Sequence, residues 1–408
     1  MLAEVVPIRG PRAEDRLTFE VIDDAEAFAA LREEWNALLV RSDADTLFLT
    51  WEWLYTWWRQ LGGKRRLHLV LLRRGDELVA AAPLALRPGR LGGLLGRASL
   101  EFLATGIVGS DYLDVVVRRG WEAEGVRLLA EHLAAQRQEL DLRQLDAAGS
   151  AAARLVAALR GRSWRTTATA GEVCPYLSLA GHSWDSLLAS LGPEHRYNVK
   201  RRLRQLRERA DVHFERVDSE ERRAAALKIL FDLHLKRWEG RGGSDAFDSE
   251  SVVAFHEQLS RLALAQGWLR LFVLWLDGEP AAALYGFRYG GTFFYYQCGF
   301  DPRFSRWSVG LVTLALAVRQ ALDEDVSEFD LLHGNESYKS LWTQRARALV
   351  RLEADPPVLG AALRRRMIVA TRAARRGLRR LLPPSLAARL DAVRRRSIQR
   401  RFHVASAG

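Results

Sequence analysis

One stretch decides the fold: residues 292–342 read TFFYYQCGFDPRFSRWSVGLVTLALAVRQALDEDVSEFDLLHGNESYKSLW. Thr292–Phe300 is aromatic and β-prone, which predicts a strand buried on at least one face. Residues 301–307 interrupt it with a proline and two arginines, and Ser308 is placed to cap the next element. The apolar spacing of Val309–Leu322 then predicts a helix.

The same stretch predicts an anion-binding site. Glu328–Leu332 returns as a short strand before Gly334. A helix amino end aimed across the end of a strand offers unpaired N–H groups and the positive end of the helix dipole. Because Arg303 and Arg306 precede the helix, we expect a pyrophosphate to bind there.

Around this stretch lies a chain of 408 residues, long enough for two or three domains with proper cores. Cys174 and Cys298 are too few for a disulfide framework or a cysteine-rich metal site, which favours a reducing compartment. No run approaches the roughly 20 apolar residues that span a bilayer, and the amino terminus lacks the apolar core of a signal peptide. The sequence therefore predicts a cytoplasmic protein. It contains no histidine cluster of the kind that would predict a metal site.

The net charge of +11 belongs to one end of the chain. Residues 356–408 hold fourteen arginines, no lysine and one acid, a balance of +13, so the rest of the chain is slightly acidic. Apolar residues lie among the arginines of this tail. This pattern fits an amphipathic helix that binds an anionic membrane surface, at the inner face of the membrane. Contact with nucleic-acid phosphates and an extension without a dedicated partner are the alternatives.

Two halves of the chain repeat one order of elements: strand, two helices, hairpin, more strand, helix, strand, helix. The hairpin turns fall at matching places, Arg74–Glu77 and Leu276–Glu279. This order predicts an α/β (α+β) fold of two tandem domains, each a mixed, mostly antiparallel sheet flanked by helices. We expect a non-catalytic domain at 17–165 and a catalytic domain at 166–355, followed by the tail.

Several segments carry separate expectations. Tyr112–Val117, Val173–Leu179 and Ala348–Glu353 are predicted strands. The tryptophans of a predicted helix at Phe48–Leu61 form a stripe typical of a core. The predicted helix His195–Arg209 holds seven lysines and arginines, which form either a solvated face or a surface for a phosphate-bearing or otherwise anionic substrate.

Three motifs carry a family resemblance: Tyr296–Pro302 (YQCGFDP), the helix opening Ser308-Val309-Gly310, and Gly334–Lys339 (GNESYK) with Trp342 behind it. With the order of elements, they resemble the GNAT acyltransferase fold. The tandem arrangement and the tryptophan-rich helix resemble the two-domain branch of that superfamily. This branch includes the Fem-type peptidyltransferases and the acetyltransferases associated with bacterial cellulose biosynthesis. The likeness covers about residues 17–355.

The resemblance implies an acyl-CoA-dependent N-acyltransferase, with acetyl-CoA as the acyl donor and no metal. It implies that the donor binds at Gly299, Phe300, Arg303, Arg306, Ser308, Val309 and Gly310. The family's phosphate loop is a basic residue or glutamine, two residues, glycine, one residue, then glycine or alanine. Arg306–Gly310 keeps one glycine and lacks the first, so fewer backbone N–H groups can approach a pyrophosphate.

Acyl transfer from a thioester to an amine needs a neutral amine, a stabilised oxyanion and a proton for the leaving thiolate. In GNAT-like folds, the strand that resembles Thr292–Phe300 splays from its neighbour and presents backbone N–H groups to the acyl carbonyl, and Gly299 suits a bulge there. The resemblance makes Tyr338 the proton donor, for which a pKa near ~10 is suitable. Lys339 would hold an anionic substrate or the oxyanion, and Glu336 would take the proton from the amine.

Each of these residues also has a structural interpretation. His333 is the rival base, although a structural role is the simpler expectation. Tyr338 could pack on its own helix, and Glu336 could be a first-turn helix acid. Asp330 is expected to bind backbone or arginine partners, and Cys298 to be a small buried hydrophobe.

Three functions are therefore open. The first is N-acyl transfer, with an amino sugar or another envelope or exopolysaccharide precursor as the acceptor that the resemblance suggests. The second is a Fem-like transferase that uses aminoacyl-tRNA, with His195–Arg209 contacting the RNA. The third is a catalytically degenerate GNAT-like module that scaffolds a polysaccharide assembly at the membrane.

Overall fold

The computed structural model describes residues 16–89, 98–238, 247, 249–334 and 336–357. The expectations for the arginine-rich tail fall outside these residues, apart from its first two positions.

Strands and helices are numbered in chain order. The strands are β1 (Leu17–Ile22), β2 (Arg66–Arg74), β3 (Glu77–Arg87), β4 (Ser99–Phe102), β5 (Val116–Val117), β6 (Glu139–Asp146), β7 (Arg165–Ser178), β8 (Val212–Arg216), β9 (Leu269–Leu276), β10 (Glu279–Tyr289), β11 (Thr292–Phe300), β12 (Glu328–Asp330) and β13 (Ala346–Asp355). The helices are α1 (Ala25–Ala30), α2 (Arg32–Val40), α3 (Trp51–Leu61), α4 (Glu122–Gln136), α5 (Ala151–Arg160), α6 (Trp184–Ser190), α7 (Pro193–Arg209), α8 (Glu220–Trp238), α9 (Glu250–Ala265), α10 (Val309–Asp323) and α11 (Lys339–Trp342).

The strands of the described residues form one continuous sheet in the order β1-β2-β3-β4-β6-β13-β7-β12-β11-β10-β9-β8, with β5 on β3. Each half contributes an antiparallel meander, β1 to β3 and β8 to β11. Each half also contains one parallel pair, β4 with β6 and β11 with β12, at matching places. The expected mixed α/β architecture with two similar halves is confirmed.

The strand β7 joins the two halves. Its long first part pairs with β13, and its last residues pair with β12. The predicted strand Val173–Leu179 was therefore too short, because the mostly exposed first part of β7 gives no apolar signal and is held by β13. The last strand of the chain, β13, lies between β6 and β7 rather than beside β12. The domain boundary near residue 165 stays a prediction.

The predicted strand Tyr112–Val117 is wrong for its first four residues, since only Val116–Val117 is a strand. Tyr112 adopts a left-handed conformation with φ of 55°, which ends any extended run. The carboxylate of Asp114 then accepts hydrogen bonds from the backbone N–H groups of Ala151 (2.8 Å) and Ala152 (2.6 Å), at the start of α5. This segment is a loop whose polar side chains are buried, a feature that apolar periodicity does not predict.

The tryptophan-rich helix α3 is core, as expected. Trp51, Trp53 and Trp57 are buried, and the ring of Trp53 packs edge-on against Phe255 of α9. The indole N–H of Trp53 donates a hydrogen bond to Ser110 Oγ (2.8 Å). This helix of the first half therefore packs on a helix of the second half and fixes the two against each other. No helix among the described residues is long and apolar enough to cross a membrane.

Candidate functional site

The parallel pair of the second half opens into a wedge. β11 and β12 pair over three positions only, the last being Phe294 with Asp330. Beyond it β11 continues to Phe300, hydrogen-bonded on its other edge to β10, while β12 ends and the chain turns at Leu332 with φ of 55°. Among the described residues, the edge of β11 that faces the wedge thus has no partner strand beyond Phe294. A cavity of about 270 Å³ lies there.

A β-bulge lies in β11 beside this wedge. Tyr285 of β10 pairs with Gln297 and the next residue, Gly286, pairs with Tyr295, so Tyr296 is the extra residue. The phenol of Tyr296 donates a hydrogen bond to the carbonyl of Val108 in the first half.

The expectation of a bulge at Gly299 is wrong. Gly299 pairs regularly with Ala283, and a Cβ added there would lie 2.3 Å from His234 N. The glycine is needed because α8 lies directly on the strand.

Both halves line the cavity. The first half contributes a loop, Ile107–Gly109, and α8 contributes His234, Arg237 and Trp238. The remaining lining residues are His256, Tyr295, Tyr296, Gln297, Cys298, Leu331, Leu332, His333, Gly334, Glu336, Tyr338 and Lys339. The cavity therefore brings together Tyr338, Glu336, Lys339 and the rival base His333, all selected from the sequence.

Tyr338 lies beside the carboxyl-terminal part of β11. Its hydroxyl is 3.5 Å from the hydroxyl of Tyr295, which donates to Cys298 Sγ (2.7 Å). Burial raises the pKa of Tyr338 above its ordinary value of 10.0, so the phenol keeps its proton at neutral pH and can give it to a leaving group. This position suits the predicted proton donor.

Cys298 is not in the apolar surroundings that the sequence suggested. It is half-buried, and its sulfur accepts a hydrogen bond from Arg237 Nη1 (2.7 Å) as well as from the Tyr295 hydroxyl. The guanidinium of Arg237 also stacks over Phe300, 5.3 Å from the ring centroid. Arg237 places a positive charge at the cavity wall, and no sequence motif indicated it.

Lys339 and Glu336 form an ion pair. Lys339 Nζ donates to the carbonyls of Leu332 (3.1 Å) and His333 (2.9 Å) and lies 3.0 Å from Glu336 Oε2. Because an ammonium has three hydrogens, these three acceptors use them all. Lys339, which is only 4% exposed, thus orders the loop after β12 instead of presenting a free donor. Glu336, by contrast, remains half exposed at the cavity.

His333 is held by a buried carboxylate from the other half of the chain. Its Nδ1 lies 2.8 and 2.9 Å from the two carboxylate oxygens of Asp111, and its backbone N–H donates to Asp111 Oδ2 (3.0 Å). Asp111 is fully buried and also accepts from Gln144 Nε2 (3.0 Å). On the far side of the ring, Nε2 lies 3.6 Å from Glu172 Oε2.

Asp330 sits at the point where the strands part. It accepts hydrogen bonds from the Tyr112 hydroxyl (2.6 Å) and Leu332 N (2.7 Å), with Arg347 Nη1 at 3.6 Å. The expectation that it binds backbone and arginine partners is confirmed. Burial, reinforced by the charges of Asp111 and Glu328, outweighs these hydrogen bonds and raises the pKa of Asp330 to about 7.

The amino end of α10 lies beyond Phe300. The expected Ser308 cap is wrong: Ser308 is left-handed with φ of 54°, and its side chain makes no capping hydrogen bond. The first turn of α10 holds no acid, so its amides and dipole face no carboxylate of their own helix. Gly310 lies against Phe300, since a Cβ added to this glycine would be 3.5 Å from Phe300 Cδ1.

The two predicted phosphate-binding arginines differ. Arg303 Nη2 is ion-paired with Glu279 (2.9 Å) and Asp301 (3.1 Å), which offset its charge. Arg306 has no ion pair among the described residues and lies over the ring of Trp307, 5.0 Å from its centroid. Arg306 is therefore the better placed of the two for an anion at α10.

A second concavity of about 320 Å³ lies between α6, α7 and α10. Its basic residues are Lys200, Arg204, Arg207 and Arg319. Within the described residues, only Arg204 of these four forms an ion pair, with Glu208 at 3.8 Å. The basic face predicted on His195–Arg209 thus borders a groove, which we call the basic groove.

Within the described residues, no group of three or more His, Cys, Asp or Glu side chains is placed to bind a metal. Sequence reasoning missed the contributions of the first half to the cavity, above all Asp111, and it missed Arg237. Asp111 and His333 are 222 residues apart, and no local pattern connects them.

Residues 193–340 match the family model described as an acetyltransferase (GNAT) domain. No curated protein matches the sequence.

Among solved structures, the chain is similar to a crystal structure of FemX, with 12% identity and a TM-score of 0.57 over 81% of this chain and 97% of that one. It is also similar to the C-terminal domain (DUF2156) of a putative lysylphosphatidylglycerol synthetase from Agrobacterium fabrum, with 13% identity and a TM-score of 0.50 over 84% of this chain and 96% of that one. At such identities the likeness concerns the fold. The family match assigns residues 193–340 to an acetyltransferase (GNAT) domain, and together with the paired halves it supports a GNAT-like acyltransferase.

Proposed function

We propose that this chain transfers an acyl group from an acyl-CoA to an amine bound in the cavity between β11 and β12. The observation that carries the proposal is the open wedge. Past Phe294 and Asp330 the strands separate, and the unpaired edge of β11 lines a cavity that also holds the protonated phenol of Tyr338. A thioester lying along this edge would have its carbonyl next to backbone N–H groups.

The chain's own groups supply the needs of acyl transfer. Backbone N–H groups of β11 near the Tyr296 bulge stabilise the oxyanion. Tyr338 gives a proton to the departing thiolate. The phosphates of the donor bind at the amino end of α10, with Arg306 beside them.

We take acetyl-CoA as the donor and an amino sugar or a related envelope or exopolysaccharide precursor as the acceptor, following the family resemblance. The lining supports a polar acceptor. Arg237, Gln297 and Glu336 provide donors and acceptors, while Tyr295 and Tyr296 provide aromatic surface. Such a mixture suits a hydroxylated ring that carries an amine.

The test has two parts. First, acetyl-CoA and CoA are titrated against the protein, and we expect a rise in melting temperature that grows with concentration. Second, release of free CoA thiol is measured with a panel of amino sugars and simple amines. A complete lack of stabilisation by either ligand would refute the proposal.

The basic groove supports a second candidate, transfer from aminoacyl-tRNA. Lys200, Arg207 and Arg319 converge on it without an ion-pair partner among the described residues, as a site for phosphates would require. We expect a Lys200→Glu, Arg207→Glu double variant to lose tRNA affinity and to show a weaker salt dependence if this candidate is right. The comparison is made in chains ending at residue 355, because the arginine tail would bind RNA by charge alone. Equal tRNA binding by the parent and the variant would exclude the groove.

A further inference from the structure

The ring of His333 is fixed in one orientation. Asp111 is fully buried, and its oxygens accept from His333 N, Gln144 Nε2 and, at 3.6 Å, Cys174 Sγ. Because donors surround this carboxylate, the Nδ1 of His333 must donate to it as well. A neutral His333 then carries its hydrogen on Nδ1 and leaves the lone pair of Nε2 free. In this way the buried carboxylate selects the tautomer.

Two further elements clamp the same ring. A Cβ added to Gly109 would lie 3.0 Å from His333 Cε1, so the loop of the first half packs closely on the ring edge. The register of β7 with β13 shifts between Ala348 and Val350, and this irregularity lies next to Glu172. Glu172 Oε2 is 3.6 Å from Nε2, beyond a normal hydrogen bond. The Nε2 atom is therefore near a carboxylate but not bound by it.

We propose that His333 is the general base for the acceptor amine and that Asp111 is its positioning residue. The inference rests on the proposed acyl transfer and identifies the group that makes the amine reactive. As the amine nitrogen bonds to the acyl carbon, Nε2 takes one proton from that nitrogen, and the carbon–sulfur bond breaks. The thiolate takes a proton from Tyr338, which is restored from His333 or from solvent, so that amine and thioester give amide and thiol.

Glu336, the base expected from the sequence, is less suitable. Its Oε2 is 3.0 Å from Lys339 Nζ, so this ion pair already occupies one of its carboxylate oxygens. Lys339 is itself fixed by two carbonyl groups, so the pair cannot separate without a loss of hydrogen bonds.

The charges around His333 make its role measurable by pH. Burial would lower the pKa of His333, but the hydrogen bond and charge of Asp111 and the charge of Glu172 outweigh burial and the opposing charge of Lys339. The net result is a pKa above the ordinary 6.5. Since the base must be neutral, kcat/KM should rise with pH up to this raised pKa and then level off.

The experiment compares the full chain with His333→Gln, His333→Ala, Asp111→Asn and the matched control Asp114→Asn. Asp114 is a buried aspartate of the same loop, but it binds the start of α5 and does not line the cavity. The pH profile of kcat/KM is recorded for each protein, with acetyl-CoA stabilisation as the check on folding and donor binding.

We expect both His333 variants to lose about 100-fold or more in kcat/KM and the alanine variant to be partly rescued by added imidazole. Asp111→Asn should lose about 10-fold and shift the acidic limb of the profile to lower pH by roughly one unit. Asp114→Asn should leave the limb unchanged.

Distinct results would overturn each part. A His333→Gln protein that folds, binds acetyl-CoA and retains activity to within about threefold would exclude His333 as the base. Loss of activity in Asp111→Asn without a shift of the limb would exclude the positioning role. If the unsubstituted chain neither binds acetyl-CoA nor releases thiol, the proposed function fails first and this inference fails with it.

Discussion

The two halves of the sheet solve the same geometric problem in different ways. In the first half, β4 and β6 pair in parallel over two positions and then part. The wedge beyond them is filled by the chain itself: Leu113 N donates to Gln144 O (2.9 Å), and Leu103, Leu113 and Val115 are buried. In the second half the wedge between β11 and β12 stays open as a cavity. Similar frames thus give a filled wedge in the first half and an open cavity in the second.

The helices that follow these wedges, α4 and α10, differ in the charge at their amino ends. The first turn of α4 contains Glu122 and Glu124, and Glu122 Oε2 accepts a hydrogen bond from Gly120 N (2.8 Å). The first turn of α10 contains no acid and is preceded by Arg306. An anion would be repelled at α4 and attracted at α10. Of these two helix ends, the difference therefore favours α10 for a phosphate.

The largest expected effect comes from removing the proton donor of the open wedge. Tyr338→Phe should lower kcat by about 1,000-fold, because the thiolate then leaves without a proton. Stability should change little, since the hydrogen bond that the hydroxyl makes within the described residues, to Tyr295, is long at 3.5 Å. Thiol release measures the effect. Tyr55→Phe is the control, because Tyr55 lies in α3 of the first half with its ring stacked on Trp51. Equal activity of the two variants would contradict the assignment.

A bulky side chain in the wedge between β11 and β12 should close its cavity, as the chain itself closes the wedge between β4 and β6. Gln297 lines the cavity on β11, and Gln297→Trp would place an indole there. We expect activity to fall about 100-fold, because a displaced substrate loses its reactive geometry, while the melting temperature holds or rises. Gln297→Ala, which enlarges the cavity, should be much less affected. Full activity in the tryptophan variant would place the reaction elsewhere.

The last paired positions of the two wedges also differ, since Asp330 stands in the second half where Leu140 stands in the first. The pKa of Asp330 is raised to about 7, so the native state holds a proton that the unfolded chain has already lost. The free energy of unfolding should therefore fall as pH rises from about 4 to about 7. Asp330→Asn should remove about 4 kcal/mol of this fall, measured by urea unfolding. Identical pH dependence of the unfolding free energy in the parent chain and in Asp330→Asn would refute the raised pKa of Asp330.

The smallest expected effect tests the contrast between the helix ends. Leu311 is the third residue of α10, as Glu124 is of α4. Leu311→Glu and Leu311→Gln lose the same apolar contact but differ in charge. The KM for acetyl-CoA should be about 10-fold higher in the glutamate variant, and added salt should reduce the difference. Equal values would mean that the donor phosphates do not bind at α10.

The sequence predicted the parts of the site that are local. Thr292–Phe300 is a strand with the predicted bounds, and Tyr338 lies in the cavity. Aromatic β-prone residues and the helical spacing after Ser308 carry that information within a few residues. The anion-binding site at the amino end of α10 was predicted from the same spacing and stays a prediction.

The rest depends on contacts between distant segments. The bulge was expected at Gly299 but is at Tyr296, because its position follows from the register with β10 and the close approach of α8. The buried loop around Asp111 has no apolar period, since Asp111 and Tyr112 bind His333 and Asp330 of the other half. A sequence read in order therefore shows the cavity's own strand but not the wall that the other half supplies.

The position of β13 has a consequence for how the protein is made. Arg351 of β13 and Asp141 of β6 form a hydrogen bond of 2.6 Å across 210 residues of chain. The first half of the sheet thus stays incomplete on the ribosome until nearly all of the folded body has been synthesised. Such long-range pairing slows folding and leaves the open edges of β6 and β7 exposed in the meantime. We expect nascent chains that stop before residue 346 to require chaperones, whatever the stability of the finished enzyme.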